Sequence, residues 1–269
     1  MINPKYFDEN VQTELNKQFN SGSPCKFVIL ENFLEEKYAT ALYENFPPLE
    51  DLNVKRKSMN ENKKEEYHLE RFNPVFQEMQ AAVNDQKTYD MISKITGIPG
   101  LSSTDDALGS GVHQGGPGSF VDIHVDINMN PMKNLHRRIN LLVYLNKYWK
   151  DEYGGGLELW DKEVKHMGAC VLPNFNRAVI METTDESYHG YAKINIPDHE
   201  SRKSFYCYFY TPISGDFVYR DSRFKTRPDE SAAKEMLTEA KETVKIGVKR
   251  MLKGLGIKSL DFQDKNKKQ

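Results

Sequence analysis

Apolar residues along this chain follow three successive rhythms. Up to about residue 100 they recur mostly at helical spacing. A short apolar run over Lys26–Glu31 reads as a strand, and an amphipathic stretch follows it to Pro47 and Pro48. After Pro74, the residues Phe76, Met79, Ala82 and Val83 share one helical face, and Tyr89 to Ile95 carries another until Gly97 stops it. Residues 1–100 therefore read as a mostly helical support region.

From about Leu101 the rhythm shortens to period-two alternation, rich in Val, Ile, Tyr and Phe and broken by Gly, Pro and Asn. The runs are Gly109 to His113, Ser119 to Val125, Arg138 to Leu145, Leu157 to Trp160, Ala169 to Leu172, Ala178 to Glu182, Tyr188 to Ile194, and Arg202 to Thr211. Short strands of this kind with irregular loops predict a jelly roll, or cupin-like double-stranded β-helix, over residues 101–215. Beyond Pro212 helical spacing returns. Ala233, Leu237, Ala240, Val244, Val248, Met251 and Leu255 line one face, with Lys241, Lys245, Lys249, Arg250 and Lys253 opposite. This basic helix and tail, residues 216–269, is expected to pack its apolar stripe on the domain or on a second copy, so a homodimer through it is one expectation. The whole reads as one structural domain, mainly β with flanking helices.

Composition narrows the partners. Of 269 residues, 38% are hydrophobic, enough for a core, while 28% are charged and the mean hydropathy is -0.69. A net charge of -2 and a pI near 6.4 supply no general basic field, so no nucleic acid is expected. No apolar window of membrane-spanning length occurs, and the first residues lack a signal-peptide layout. Cys25, Cys170 and Cys207 form no CxxC pattern, which indicates neither a disulfide framework nor a thiolate metal site. Cys207, in an alternating strand, reads as a buried small hydrophobe. A cytoplasmic location is the expectation.

Candidate chemistry begins at His124-Val125-Asp126. On a strand, residues two apart project from one face, so these two side chains would stand together. His189 follows Asp126 by 63 positions, on another strand-like run. Two histidines and one carboxylate with open positions suit non-haem Fe(II). Taken singly, the triplet is a common accident, and His189 reads equally well as a turn residue before Gly190. Arg202 and Ser204 share a face at the start of an aromatic strand. A guanidinium buried there needs an anion, either a protein carboxylate or a dicarboxylate ligand. Gly154, Gly155 and Gly156 are followed by no Lys-Ser/Thr, so they read as a tight strand connection and not as a phosphate loop. Trp149 and Trp160 read as packing residues.

The segments KFVILENFLEEKYATALYENFP, HVD with RRINLLVYLNKYW, GGGLELWD, NRAVIMETTDESYHG and SRKSFYCYFYT resemble, in order and spacing, the prolyl-4-hydroxylase-like branch of the Fe(II)/2-oxoglutarate dioxygenases. The resemblance runs from about Cys25 to Thr211 and is strongest toward small bacterial and phage members. It implies that His124, Asp126 and His189 bind iron, that Arg202 takes the distal carboxylate of 2-oxoglutarate, and that Tyr144 donates a hydrogen bond in the same pocket. Ser204 is a further donor to that carboxylate. The cofactor set implied is Fe(II), 2-oxoglutarate as co-substrate and O₂, with ascorbate in support. The reaction is C-H hydroxylation that yields succinate and CO₂.

Three departures accompany the resemblance. The loop between His189 and Arg202 is longer than in the animal prolyl hydroxylases of that branch. Where those carry a Tyr, this chain has His113-Gln114, which inherit a substrate or co-substrate role. The resemblance also ends before the C-terminal helix. The substrate is a peptide, a protein or a small molecule. Two rivals are a non-catalytic jelly-roll binding module and a zinc-dependent cupin-type hydrolase or isomerase using the same three ligands.

Overall fold

Local signals account for the helices. In this computed structural model, which describes residues 1–215 and 217–254, α1 (Glu9–Ser21) starts where the Asp8 carboxylate accepts from the amides of Asn10 and Val11. The next two helices are α2 (Glu36–Glu44) and α3 (Val75–Val83), the latter opening after Pro74. In α4 (Gln86–Thr96), Asp85 caps the start and Gly97, at φ 74°, ends the helix in the left-handed region. Their apolar faces meet in one core that includes Phe19, Leu42, Phe76, Met79, Ile92 and Ile95.

The strands in chain order are β1 (Phe27–Glu31), β2 (Val54–Lys57), β3 (Glu61–Glu66), β4 (Ser110–Gly115), β5 (Phe120–Val125), β6 (Met129–Asn130) and β7 (Leu135–Tyr144). They continue with β8 (Leu157–Trp160), β9 (Met167–Val171), β10 (Arg177–Glu182), β11 (Tyr188–Tyr191), β12 (Arg202–Pro212) and β13 (Arg223–Lys225). Each of the eight alternating runs became a strand. The order β1-β10-β7-β12-β4 forms one sheet and β5-β11-β8-β9 the other, giving a double-stranded β-helix.

Period two explains how one sheet serves two purposes. Along β12, Phe205, Cys207 and Phe209 point outward into the helical core and are fully buried. A buried aromatic contributes about 1.5–3 kcal/mol, so this face anchors the sheet. Arg202, Ser204 and Tyr208 alternate with them and face the cavity between the sheets.

Two expectations need correction. Residues 1–100 are not only helical after β1, because β2 and β3 form a hairpin. β2 takes one edge of β3, and the other edge pairs with β4 through Lys64–Glu66 and with β5 through Glu61 and Asn62, so β3 joins the two sheets. This hairpin, VKRKSMNENKKEE, has no apolar alternation, because little of it enters an apolar core.

The second correction concerns α5 (Ala232–Gly254), which docks the other way round. Leu237 and Val244 are 61% and 64% exposed, while Thr238 and Glu242 are buried. The surface beneath is polar: Lys234 pairs with Asp122, Lys241 donates to Asn60 Oδ1 at 3.0 Å, and Lys245 donates to Ser222 O at 2.5 Å. The polar side of the helix therefore faces in and the first half of the apolar stripe faces out. The side chains of Val248, Lys249, Arg250, Met251 and Lys253, and all of Leu255, lie outside the described residues. No helix among the described residues is long and apolar enough to cross a membrane.

Candidate metal centre and adjoining cavity

β5 carries His124 near its end, and Asp126 follows directly after the strand. β11 pairs with β5 so that His189 lies opposite His124 in register, their ring centroids 4.4 Å apart. His124 Nε2 is 3.5 Å from Asp126 Oδ1, and His189 Nε2 is 3.5 Å from Asp126 Oδ2. The ligand atoms of all three lie within 4.8 Å of one another, so one ion can meet them all.

The hydrogen bonds behind the triad fix its chemistry. His124 Nδ1 lies 3.0 Å from the Asp122 carbonyl oxygen, and His189 Nδ1 lies 2.9 Å from that of Ser187. A carbonyl only accepts, so each Nδ1 carries the hydrogen and each Nε2 turns a lone pair inward. Asp126 Oδ2 accepts from Arg137 Nη2 at 3.0 Å and Asn140 Nδ2 at 2.7 Å. Burial opposes the Asp126 charge, yet Arg137 and the two imidazoles hold its carboxyl well below the usual range. Burial, then the nearby His124, lowers the His189 pKa to about 4. Two imidazole nitrogens and one carboxylate are the donor set that a divalent transition metal takes, and they fit Fe(II).

Arg202 stands on the first residue of β12, buried, and lines the same cavity. Its Nε donates to Gly155 O at 2.7 Å and its Nη2 to Tyr144 Oη at 3.4 Å, while the guanidinium lies 4.2 Å from the Tyr191 ring centroid. Among the described residues no carboxylate pairs with it. Tyr144, buried, receives from Arg202 and keeps its own hydrogen to donate. Ser204 pairs in register with Tyr144 on one side and His113 on the other, and it too lines the cavity. The glycine connection serves this group, since Gly154 and Gly155 have φ of 67° and 70° and Gly155 offers the carbonyl that holds Arg202.

His113 and Gln114 separate. His113 lines the cavity, stacked on Tyr206 at 4.2 Å between centroids. Gln114 is not among the described cavity-lining residues, and its Nε2 donates to Ser201 Oγ at 2.9 Å. Adjacent strand residues face opposite ways, so the pair could not share one role. The long loop after His189 packs Ile194 and Ile196 onto Val121 and Tyr191. Sequence reasoning missed Arg137, Asn140, Tyr191 and Lys63. Asn140 shares the face of Leu142 and Tyr144 by period two and was open to discovery; Lys63, in a charged hairpin, gave no signal.

Residues 110–210 match the model of the 2OG-Fe(II) oxygenase superfamily. Among solved structures, a prolyl-4-hydroxylase from Pseudomonas putida superposes with a TM-score of 0.51 at 16% identity, covering 74% of this chain and 100% of that one. A prolyl hydroxylase from Trichoplax adhaerens, in complex with a hypoxia inducible factor peptide fragment, gives 0.50 at 20% identity, covering 75% and 90%. A 2OG-Fe(II) oxygenase family oxidoreductase from Burkholderia pseudomallei gives 0.50 at 14%, covering 76% and 91%. No curated protein matches the chain in sequence.

Proposed function

Given that this chain belongs, through residues 110–210, to the 2OG-Fe(II) oxygenase superfamily, we propose that His124, Asp126 and His189 are its iron ligands and that Arg202, with Tyr144 and Ser204, grips the far carboxylate of 2-oxoglutarate. The chain is a 2-oxoglutarate-dependent dioxygenase of the hydroxylase type. When bound, Fe(II) and 2-oxoglutarate supply O₂ activation for hydroxylation of a substrate C-H bond, with succinate and CO₂ as coproducts.

The residues supply geometry and charge. Asp122 O and Ser187 O orient the two imidazoles, and Arg137 and Asn140 fix the carboxylate of Asp126. Arg202 presents a planar donor fork suited to a carboxylate, and Tyr144 and Ser204 add hydroxyl donors beside it. Leu142 and Leu157 line the cavity and limit water beside the reacting groups.

One observation carries this reading: a buried guanidinium, without an acid partner among the described residues, lies in the same cavity as three converging side chains able to hold a metal. A zinc hydrolase or a passive binding module has no use for that guanidinium. The experiment is an anaerobic titration of the protein with Fe(II) and then 2-oxoglutarate, followed by visible absorbance. A charge-transfer band that saturates at one equivalent of each supports the reading, and its absence refutes it. Mass spectrometry of peptide and amino-acid pools for a gain of one oxygen then addresses the substrate, starting with prolyl C-H bonds. We place the enzyme in the cytoplasm, in keeping with its three free cysteines, and a homodimer through α5 would cover Leu237 and Val244.

A further inference from the structure

Among the described side chains that line the cavity, Asp126, Arg202 and Lys63 are the acids and bases of permanent charge. On the reading above, the metal takes Asp126 and the co-substrate takes Arg202. Lys63 is left over.

Its surroundings define what it offers. Lys63 is 16% exposed on β3, and its Nζ lies 2.8 Å from Glu65 Oε1. Glu65 also holds Arg56 Nε at 3.1 Å on its other oxygen and faces His113 Nε2 at 3.4 Å. Glu65 is thus shared among three partners and is not among the described cavity-lining residues. Lys63 is, so the ammonium forms the wall and the carboxylate stands behind it. Burial works against the Lys63 charge, but Glu65 more than offsets this and keeps it protonated. His113 beside it is neutral, its pKa lowered to about 4 by burial first and then by Lys63. An ammonium has three donors, and one carboxylate engaged elsewhere does not satisfy it.

Arg202 sits with Tyr144, Tyr191 and Gly155, whereas Lys63 sits with Glu65, His113 and Tyr208. On the reading above Arg202 serves the co-substrate, so Lys63 is the cavity-wall cation left for the substrate. Glu65 engages one of its three donors at 2.8 Å. A neutral blocked peptide brings no charge to the others, whereas a substrate carboxylate does.

We propose that Lys63 determines specificity by pairing with a carboxylate of the substrate, so that the enzyme acts on carboxylate-bearing molecules rather than on a neutral peptidyl residue. This rests on the oxygenase reading. The carboxylate comes from a free main-chain terminus or from an acidic side chain.

The test uses the full chain loaded with Fe(II) and 2-oxoglutarate. The probes are the twenty free L-amino acids and their carboxamides, with succinate formation above the substrate-free rate as the signal. The expected result is that stimulation follows the carboxylate, with an acid surpassing its carboxamide by about 10- to 100-fold in kcat/KM, the size of a charge-assisted contact. Stimulation by the aspartate or glutamate carboxamides alone assigns the carboxylate to a side chain and also supports the proposal. Lys63→Met should lose the stimulation and Lys63→Arg should keep most of it, while the visible band reports 2-oxoglutarate affinity in each and shows that each is folded. Carboxamides that stimulate as well as acids, or no stimulation by any acid, overturn the proposal. So does a Lys63→Met variant that loses 2-oxoglutarate affinity, which makes Lys63 a co-substrate ligand. A wild-type protein without the band fails the oxygenase reading instead, so the two failures are distinct.

Discussion

The carboxylate of Asp122 and the guanidinium of Arg227 meet at 3.2 Å across 105 residues of chain, with Asp122 buried and the Arg227 side chain 9% exposed. Arg227 also pairs with Glu158 Oε2 at 2.9 Å and donates to Val121 O at 3.2 Å. Asp122 is the residue whose main-chain oxygen orients His124, so one residue ties the C-terminal segment to a proposed metal ligand. Removing Arg227 leaves the buried Glu158 without an ion-pair partner among the described residues, while Lys234 still answers Asp122. Arg227→Ala should therefore cost about 3 kcal/mol of stability in urea unfolding and weaken Co(II) binding by about tenfold. Unchanged values in both measurements would mean that the segment is ornamental to the centre.

Arg202→Ala removes the cation proposed for 2-oxoglutarate and none of the metal donors. Co(II) affinity should stay within about threefold, and 2-oxoglutarate affinity should fall by about 30- to 100-fold. His189→Ala should do the reverse and abolish tight Co(II) binding. Isothermal titration with each ligand separates the two. Equal loss of both ligands in Arg202→Ala contradicts the division of roles.

Asn140 Nδ2, at 2.7 Å from Asp126 Oδ2, shares that oxygen with Arg137. Asn140→Leu keeps the branched shape of the side chain but not the donor. Metal affinity should drop by about 10-fold or more, the usual effect of losing such an outer hydrogen bond. The protein should remain folded by circular dichroism, because Arg137 still answers the carboxylate.

Gly190 follows His189 in β11, and a Cβ there would meet Val121 O at 2.6 Å and Asp122 O at 2.8 Å. Both contacts are main chain and cannot swing aside. Gly190→Ala should push β11 away from β5 and separate His189 from His124. A loss of about 2 kcal/mol or more in stability, with impaired Co(II) binding, is the expected outcome.

His136 packs edge-on against Phe217, ring centroids 4.9 Å apart, and burial, then Arg138 and Arg220, lowers its pKa to about 4. The unfolded chain takes up this proton near pH 6.5, whereas the folded protein resists it until about pH 4. Stability from this group is complete above pH 6.5, declines as pH falls, and is lost below about 4. Denaturation midpoints of wild type and His136→Gln should converge across that window as the pH drops. Parallel curves would remove His136 as the cause.

Much of the fold was legible because its strands alternate against an apolar core. The outward Phe205, Cys207 and Phe209 forced β12 into view, and with it the inward Arg202 and Ser204. The convergence of the three proposed ligands was legible through the two-residue spacing of His124 and Asp126 at the end of β5 and a later strand able to return beside it. The β2–β3 hairpin was not, since its charged side chains serve solvent and the cavity and leave no hydrophobic imprint. The orientation of α5 was misjudged for a related reason. Its amphipathic pattern is real, but ion pairs and hydrogen bonds to Asp122, Asn60 and Ser222 decide which face turns inward. β13 is three residues long, too short for periodicity, yet it sets Phe224 beside His124, ring centroids 5.2 Å apart.

The outer edge of β5 is sealed in two pieces: β3 covers Phe120 and Val121, and β13 covers Ile123 to Val125. One piece is made early in synthesis and the other late. While the ribosome still holds residues 223–225, the strand that bears His124 has half of its border open to water. The border of that strand is thus completed late, by a segment outside residues 110–210, and a messenger truncated shortly after β12 would yield a barrel frayed beside His124.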